Sequence, residues 1–420
     1  MRRKSFAAMF LATLLAALII PAMANPAMAE TTEPTYATVE DQNGWKIIKT
    51  DVITILFPRS GRKPMFLWWR TNETDKIYVV KYKGLIEYFA FDGDPFFKWK
   101  KHDAERLRWK LEEGRQWHII KRIRNVWHSS LLPFDACNWT LSGPENIIKN
   151  GETIGIAFNF TMTKTNIERF EFAENNIIIR CRFYNRTTTE SVDNLYNYTV
   201  NAGELKMDFV VQNWKWNIDK IRSLIAELRN YGIDIPIPNG KSGLALWINL
   251  ASIDLQRLED AENNPEGIEN MSTASNMIVE DRRVPVGENK TLSEDEHPIA
   301  IRKRLNEHYR IRFAKETQTL AGFFKFVASA KVTDPVSGNV SLIDVKAAYI
   351  AAGAHMRLFL CYPYFGNKTL EHDPSLGLEA IPSLISPQLL TALVGTVAII
   401  AAVVLVARWQ RKPINVVGTP

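Results

Sequence analysis

The chain has 420 residues, with 52 Lys+Arg against 46 Asp+Glu, a formal charge of +6, and three cysteines. Residues 1–29 and 408–420 each carry three basic and no acidic groups, so the stretch between them holds 46 of each sign. A neutral body excludes nucleic acid as a charge-driven partner, and three cysteines exclude a disulfide-dense scaffold.

Residues 1–29 start with Arg2, Arg3 and Lys4, continue as an apolar run over Phe6–Ile20, and end in Ala22-Met23-Ala24 and Ala27-Met28-Ala29. This is the pattern of a secretory signal peptide, with mature protein expected from Glu30. Residues 30–133 read as a β-rich N-terminal domain. Its turn chemistry falls at Arg59-Ser-Gly-Arg-Lys-Pro64 and at Asn72-Glu-Thr-Asp75.

Asp92-Gly93-Asp94 has the oxygen density of a calcium turn, and Asp92 and Asp94 are the candidate metal ligands; an ordinary turn explains them as well. Phe96–Trp127 then reads as a basic, aromatic hairpin. Trp99, Trp109, Trp117 and Trp127 are interspersed with cations that include Arg106, Arg108 and Lys110. Aromatic faces flanked by cations suit sugars or anionic polymers. The same alternation also suits a strand with Leu107, Trp109 and Leu111 facing a core.

A gap in the alternation over Phe134–Glu145 is the expected domain boundary, and 134–370 is the expected second domain. Ile154, Ile156, Phe158, Phe160 and Met162 line one face of a strand. Leu205, Met207, Phe209 and Val211 repeat the pattern, with Lys206, Asp208 and Gln212 on the opposite, polar face. Asn150-Gly151 and Asp334-Pro-Val-Ser-Gly338 are turn sequences. Ile218, Ile221, Leu224, Ile225 and Leu228 recur at helical spacing, with Asn217 as N-cap and Gly232 as stop.

Residues 254–296 hold twelve acidic and four basic groups and read as a long exposed excursion with one short strand at Met277–Val279. Further strands are expected at Leu244–Leu250, Tyr309–Phe313 and Met356–Tyr362. Glu371-His372-Asp373 offers metal ligands or a solvated turn at the start of a membrane-proximal spacer, 371–388. Leu389–Ala407 is 19 residues without a charge, enough to span a bilayer core of about 30 Å. Arg408, Trp409, Arg411 and Lys412 follow, so the body is expected outside and the 408–420 tail in the cytoplasm. The expected fold class is all-β: an antiparallel β-sandwich ectodomain, one large or two smaller sandwiches, with one short amphipathic helix and a C-terminal transmembrane helix.

Nine asparagines begin N-x-[ST] sequons: Asn72, Asn138, Asn159, Asn185, Asn197, Asn270, Asn289, Asn339 and Asn367. All lie between the two terminal segments. Cys137, Cys181 and Cys361 allow three pairings, and spacing does not choose among them.

Motifs for catalysis are missing. Gly240-Lys241-Ser242 lacks the upstream glycine and the βαβ setting of a phosphate loop, and no G-x-S-x-G or H-E-x-x-H occurs. No cofactor is implied. Met356–Leu378, with its strand, its sequon and His-Asp-Pro-Ser-Leu-Gly-Leu, resembles the end of uncharacterised archaeal cell-surface β-sandwich proteins that carry a signal peptide and one C-terminal membrane helix. That resemblance implies location and fold, and carries over no catalytic residue.

The expected function is a membrane-anchored, N-glycosylated, non-enzymatic module for cell-envelope association, adhesion or partner binding. The alternative is a carbohydrate-binding or carbohydrate-active surface protein that uses the Trp-rich hairpin. Its expected partners are the membrane and an envelope protein or glycan.

Overall fold

A computed structural model describes residues 37–90, 130–165, 176–217, 241–254, 275–286, 299–301, 308–314 and 320–380, apart from 43, 193, 194, 280, 281 and 353, together with six positions between 219 and 230. The expected signal segment 1–29, the expected hairpin 96–127 with all its candidate residues, Asp92, Asp94, Asn270, Asn289 and residues 389–420 lie outside the described set. Among the described residues no helix is long and apolar enough to cross a membrane.

The fold is all-β and antiparallel. A meander opens it: β1 (Thr38–Gln42), β2 (Trp45–Lys49), β3 (Ile53–Pro58), β4 (Met65–Arg70) and the long β5 (Glu73–Ala90) pair in sequence. The chain returns with β6 (Leu131–Pro133) against Gly84–Ile86 of β5. A single 3₁₀ turn, Phe134–Ala136, then carries it into a second sheet.

There, β7 (Cys137–Lys149), β8 (Glu152–Thr165) and β9 (Ile177–Tyr184) lead to the central strand β12 (Leu205–Val211). Between them, β10 (Thr188–Val192) and β11 (Tyr196–Val200) form a separate hairpin. Strand β13 (Lys241–Asp254) goes back to the first sheet beside β5. The second sheet gains β14 (Ser275–Val279), β15 (Arg282–Val286), β17 (His308–Ala314), β18 (Leu320–Val327), β19 (Ser329–Thr333) and β20 (Val340–Asp344). The first gains β16 (Ile299–Ile301), β21 (Lys346–Ala352) and β22 (His355–Pro363). Finally β24 (Ser375–Ala380) and β23 (Thr369–His372) pair with the two ends of β12 along the edge opposite β9.

The two sheets share one core. Phe57 stacks on Phe158 at 4.1 Å, Trp68 meets Phe313 edge-on at 5.5 Å, and Phe209 stacks against Tyr82 and Tyr362. Each pair takes one ring from each sheet. Trp68 Nε1 donates across the same gap to Gly377 O at 2.9 Å. The gap narrows at Gly322, where a Cβ would lie 2.4 Å from the Tyr78 ring.

Of the one large or two smaller sandwiches expected, residues 33–379 form a single compact unit with one shared core, and the interruption near residue 134 marks a change of layer. One expectation is corrected. The segment from 371 does not begin as a spacer. His372, Ser375 and Leu376 are fully buried within the second sheet, because β23 and β24 each pair with β12.

Other expectations match. The Asn150-Gly151 turn has φ of +53° and +81°, the positive pair that a tight two-residue hairpin needs. Asp334 Oδ1 accepts the backbone N–H groups of Val336 and Ser337 in its turn, which holds its carboxyl below the usual range. The strand expected at Met277–Val279 is the end of β14. Asp219, Lys220, Ser223, Ala226, Glu227 and Asn230 are helical, as the spacing predicts. No disulfide joins Cys137, Cys181 and Cys361 to one another, and all three are buried.

Candidate functional site

Two groupings of polar side chains stand out, one on the outer side of each sheet. The first lies under the β10–β11 hairpin. In β12, Leu205, Met207 and Phe209 enter the shared core, which sends Lys206 and Asp208 to the opposite face. Alternation marks these two as solvent-facing, yet each is only 1 % exposed. The hairpin is the reason. Its Tyr198 hydroxyl donates to Ser375 Oγ at 2.8 Å, and the Tyr198 ring lies 5.1 Å from both Lys206 Nζ and Lys325 Nζ. Its Glu190 accepts from the Tyr184 hydroxyl and pairs with Arg182 at 3.0 Å and Lys206 at 3.3 Å.

The charges beneath are matched. Lys206 Nζ contacts Asp208 and, at 3.2 Å, Asp373; Arg182 also contacts Asp208; Lys325 pairs with Glu204 at 2.6 Å. Glu371 takes Lys331 at 2.9 Å and Arg180 at 3.8 Å. These ten side chains comprise five cations (Arg180, Arg182, Lys206, Lys325, Lys331) and five carboxylates (Glu190, Glu204, Asp208, Glu371, Asp373), a formal sum of zero. Burial raises the Asp208 carboxyl, with Lys206 opposing the shift. For Lys206, burial would lower the ammonium, but Asp208 and Asp373 hold it above its ordinary value.

Asp208, Glu371 and Asp373 place one carboxylate oxygen each within 4.8 Å of one another, as a metal site would. Each already faces a cationic side chain, and Lys206 bridges two of them, so the arrangement is that of an internal ion network. His372, considered above as a ligand in a solvated turn, instead points into the core. It contacts Tyr362 and Val327 and is fully buried.

The second grouping lies on the outer face of the first sheet. Leu244, Leu246, Ile248 and Leu250 of β13 enter the shared core, as do Met356, Leu358, Leu360 and Tyr362 of β22. Residues of the opposite parity therefore face away. Register places Trp247 beside Phe359 and Asn249 beside Arg357. The Trp247 and Phe359 rings stack at 6.2 Å and 28°, and the Arg357 guanidinium lies over the indole at 5.6 Å. Trp247 Nε1 donates to Oδ1 of the buried Asn249 at 2.8 Å.

Trp247, Phe359 and Arg357 are partly exposed. Arg357 Nε is buried and has no acceptor, and burial lowers the guanidinium pKa. Among the described residues no carboxylate reaches it. Chemically, the patch is an aromatic platform beside an uncompensated cation.

Sequence reasoning singled out neither grouping. Trp247 sits inside the strand expected at Leu244–Leu250 and Arg357 inside that at Met356–Tyr362, but nothing local marks them as neighbours. Of the sequon asparagines, Asn72, Asn138, Asn159, Asn197, Asn339 and Asn367 are exposed and Asn185 is half-buried. Asn159 opposes Arg180 on the outward side of the second sheet, as its alternation predicts.

No protein-family model matches the chain, and a search of the curated proteins finds no match.

Proposed function

We propose that this protein is a non-enzymatic cell-surface module for cell-envelope association, adhesion or partner binding: a β-sandwich ectodomain held by a C-terminal membrane helix and N-glycosylated over the second sheet. The observation that carries this reading is the placement of the sequons. Asn138 in β7, Asn159 in β8 and Asn197 in β11 are exposed strand positions of the second sheet and its covering hairpin, and Asn185 lies in the turn between β9 and β10. Asn72, Asn339 and Asn367 lie in turns. No strand of the first sheet carries a described sequon. Bulky glycans at these exposed strand and turn positions would stand in solvent without disturbing the core.

The test is expression of the full chain in a glycosylating host and recovery from its surface membrane fraction, followed by glycosidase digestion and peptide mass mapping. Occupancy at Asn138, Asn159 and Asn197 is the expected result. Surface-displayed chain with those three sites bare would overturn the reading.

A further inference from the structure

We infer that the first sugar of a glycan on Asn367 packs on the exposed ring of Tyr364, so that the turn between β22 and β23 is a seat for that glycan. The inference deepens the glycosylated-surface reading and rests on it for the presence of the sugar.

Aromatic rings in this fold are buried or half-buried, with one exception among the described side chains: Tyr364 is 53 % exposed. Its ring is nevertheless held in place. Trp216 meets it at 4.7 Å and 56°, and Trp216 is itself set edge-on against the buried Phe365 at 5.1 Å. Trp216 Nε1 donates to Gly366 O at 2.9 Å, which ties the indole to the backbone of the turn that follows Tyr364. A large ring left in water contributes little to folding, and Trp216 covers only part of this one. What remains is a fixed, half-open aromatic surface.

The same turn presents a glycan acceptor. Phe365 O accepts from Lys368 N at 3.4 Å, Gly366 has φ of +64°, and Asn367 is exposed with φ outside the positive region. Those angles make a type II′ hairpin turn with Asn367 at its second central position. Asn367-Lys368-Thr369 is a sequon, so Tyr364 precedes the acceptor by three residues across one tight turn. The first sugar of an N-glycan is a pyranose, with C–H groups on its face and hydroxyls at its rim. Its C–H face suits an aromatic ring, and its rim stays in water. Because the sugar is tethered, its effective concentration at the ring is in the ~mM range, and a contact too weak to hold a free sugar suffices. Trp69 and Phe183, which stand three and two residues before Asn72 and Asn185, are buried, so those sequons lack such a seat.

The test uses the full chain, expressed in a host that attaches N-acetylglucosamine-linked glycans and recovered from its membrane fraction. Hydrogen exchange is followed by mass spectrometry over the peptide that holds residues 364–370. The turn amides of the glycosylated wild type should exchange about fivefold more slowly than those of Asn367→Gln. Trimming the glycan to its first sugar should keep that protection. In Tyr364→Ser the presence or absence of the Asn367 glycan should make no difference. If that variant fails to fold, the wild type against Asn367→Gln still decides, because Asn367 is exposed and its replacement leaves the rings in place. Equal exchange with and without the glycan in the wild type, an equal glycan effect in Tyr364→Ser, or a bare Asn367 overturns the inference. Asn138, Asn159 and Asn197 are mapped in the same sample, so bare sites there beside an occupied Asn367 would sink the surface reading without deciding this one.

Discussion

The Tyr362 hydroxyl in β22 lies 3.0 Å from Nδ1 of His372 in β23, a buried hydrogen bond that joins the two sheets. On the other side of the imidazole, Nε2 is 2.8 Å from Val327 O. A carbonyl only accepts, so Nε2 carries the proton and Nδ1 accepts from Tyr362. Both ring nitrogens are used, and the imidazole is neutral.

A pH dependence follows. Burial, reinforced by nearby Lys206 and opposed by the Val327 hydrogen bond, lowers the His372 pKa from 6.5 to about 4. Between those values the unfolded chain binds a proton that the folded one refuses. This contribution is therefore complete above pH 6.5, falls as pH drops towards 4, and changes no further below. The loss is on the order of 3 kcal/mol. Urea unfolding of wild type and His372→Asn at pH 7.5, 5.5 and 4.5 isolates it: the gap between the two should narrow with acidification. A constant gap would mean that His372 titrates normally.

Lys206 neutralises two buried carboxylates at once. Lys206→Met keeps the volume and removes the charge, leaving Asp208 and Asp373 to repel each other. The expected cost is about 3–5 kcal/mol in unfolding free energy. Adding Asp208→Asn should recover part of that, a non-additivity that a double-mutant cycle measures.

Gly322 is held by the approach of Tyr78 rather than by its own backbone angle. One methyl group collides there, and Gly322→Ala should cost about 1–3 kcal/mol by forcing the sheets apart. Tyr78→Leu in the same chain should lessen the penalty of the glycine substitution. An unchanged melting temperature in the single variant would contradict the packing described.

The three thiols offer a chemical check. Cys137, Cys181 and Cys361 are buried, and burial raises the Cys137 thiol to about 11 and pushes the Cys181 thiol well above its ordinary value. Thiolate is the reactive form, so a maleimide reagent should label none in the native protein. It should label all three in urea without a reductant. Labelling of one thiol in urea would reveal a disulfide.

Much of the second sheet was legible beforehand. Ile154–Met162 and Leu205–Val211 alternate with period two, and Asn150-Gly151 demands positive φ, so these elements follow from local sterics and patterning. The ion network was not legible. Lys206 and Asp208 read as solvated because alternation tells which residues share a face and says nothing about what lies over that face. Glu371-His372-Asp373 misled for a related reason: three polar residues in a row resemble a turn until β12 pairs with both neighbouring strands. In the candidate site, Trp247 and Arg357 are 110 positions apart, and only the β13–β22 register sets one over the other.

The sequence by itself determined the all-β class, the positions of many strands and turns, and the asparagines that begin sequons, since each depends on residues a few positions apart. Only in three dimensions do residues on both sides of position 134 share one core, do ten charged side chains cancel in and around β12, and does Arg357 come to lie over the Trp247 indole. Those outcomes depend on which distant strands become neighbours, and that choice is made by burial summed over the whole chain.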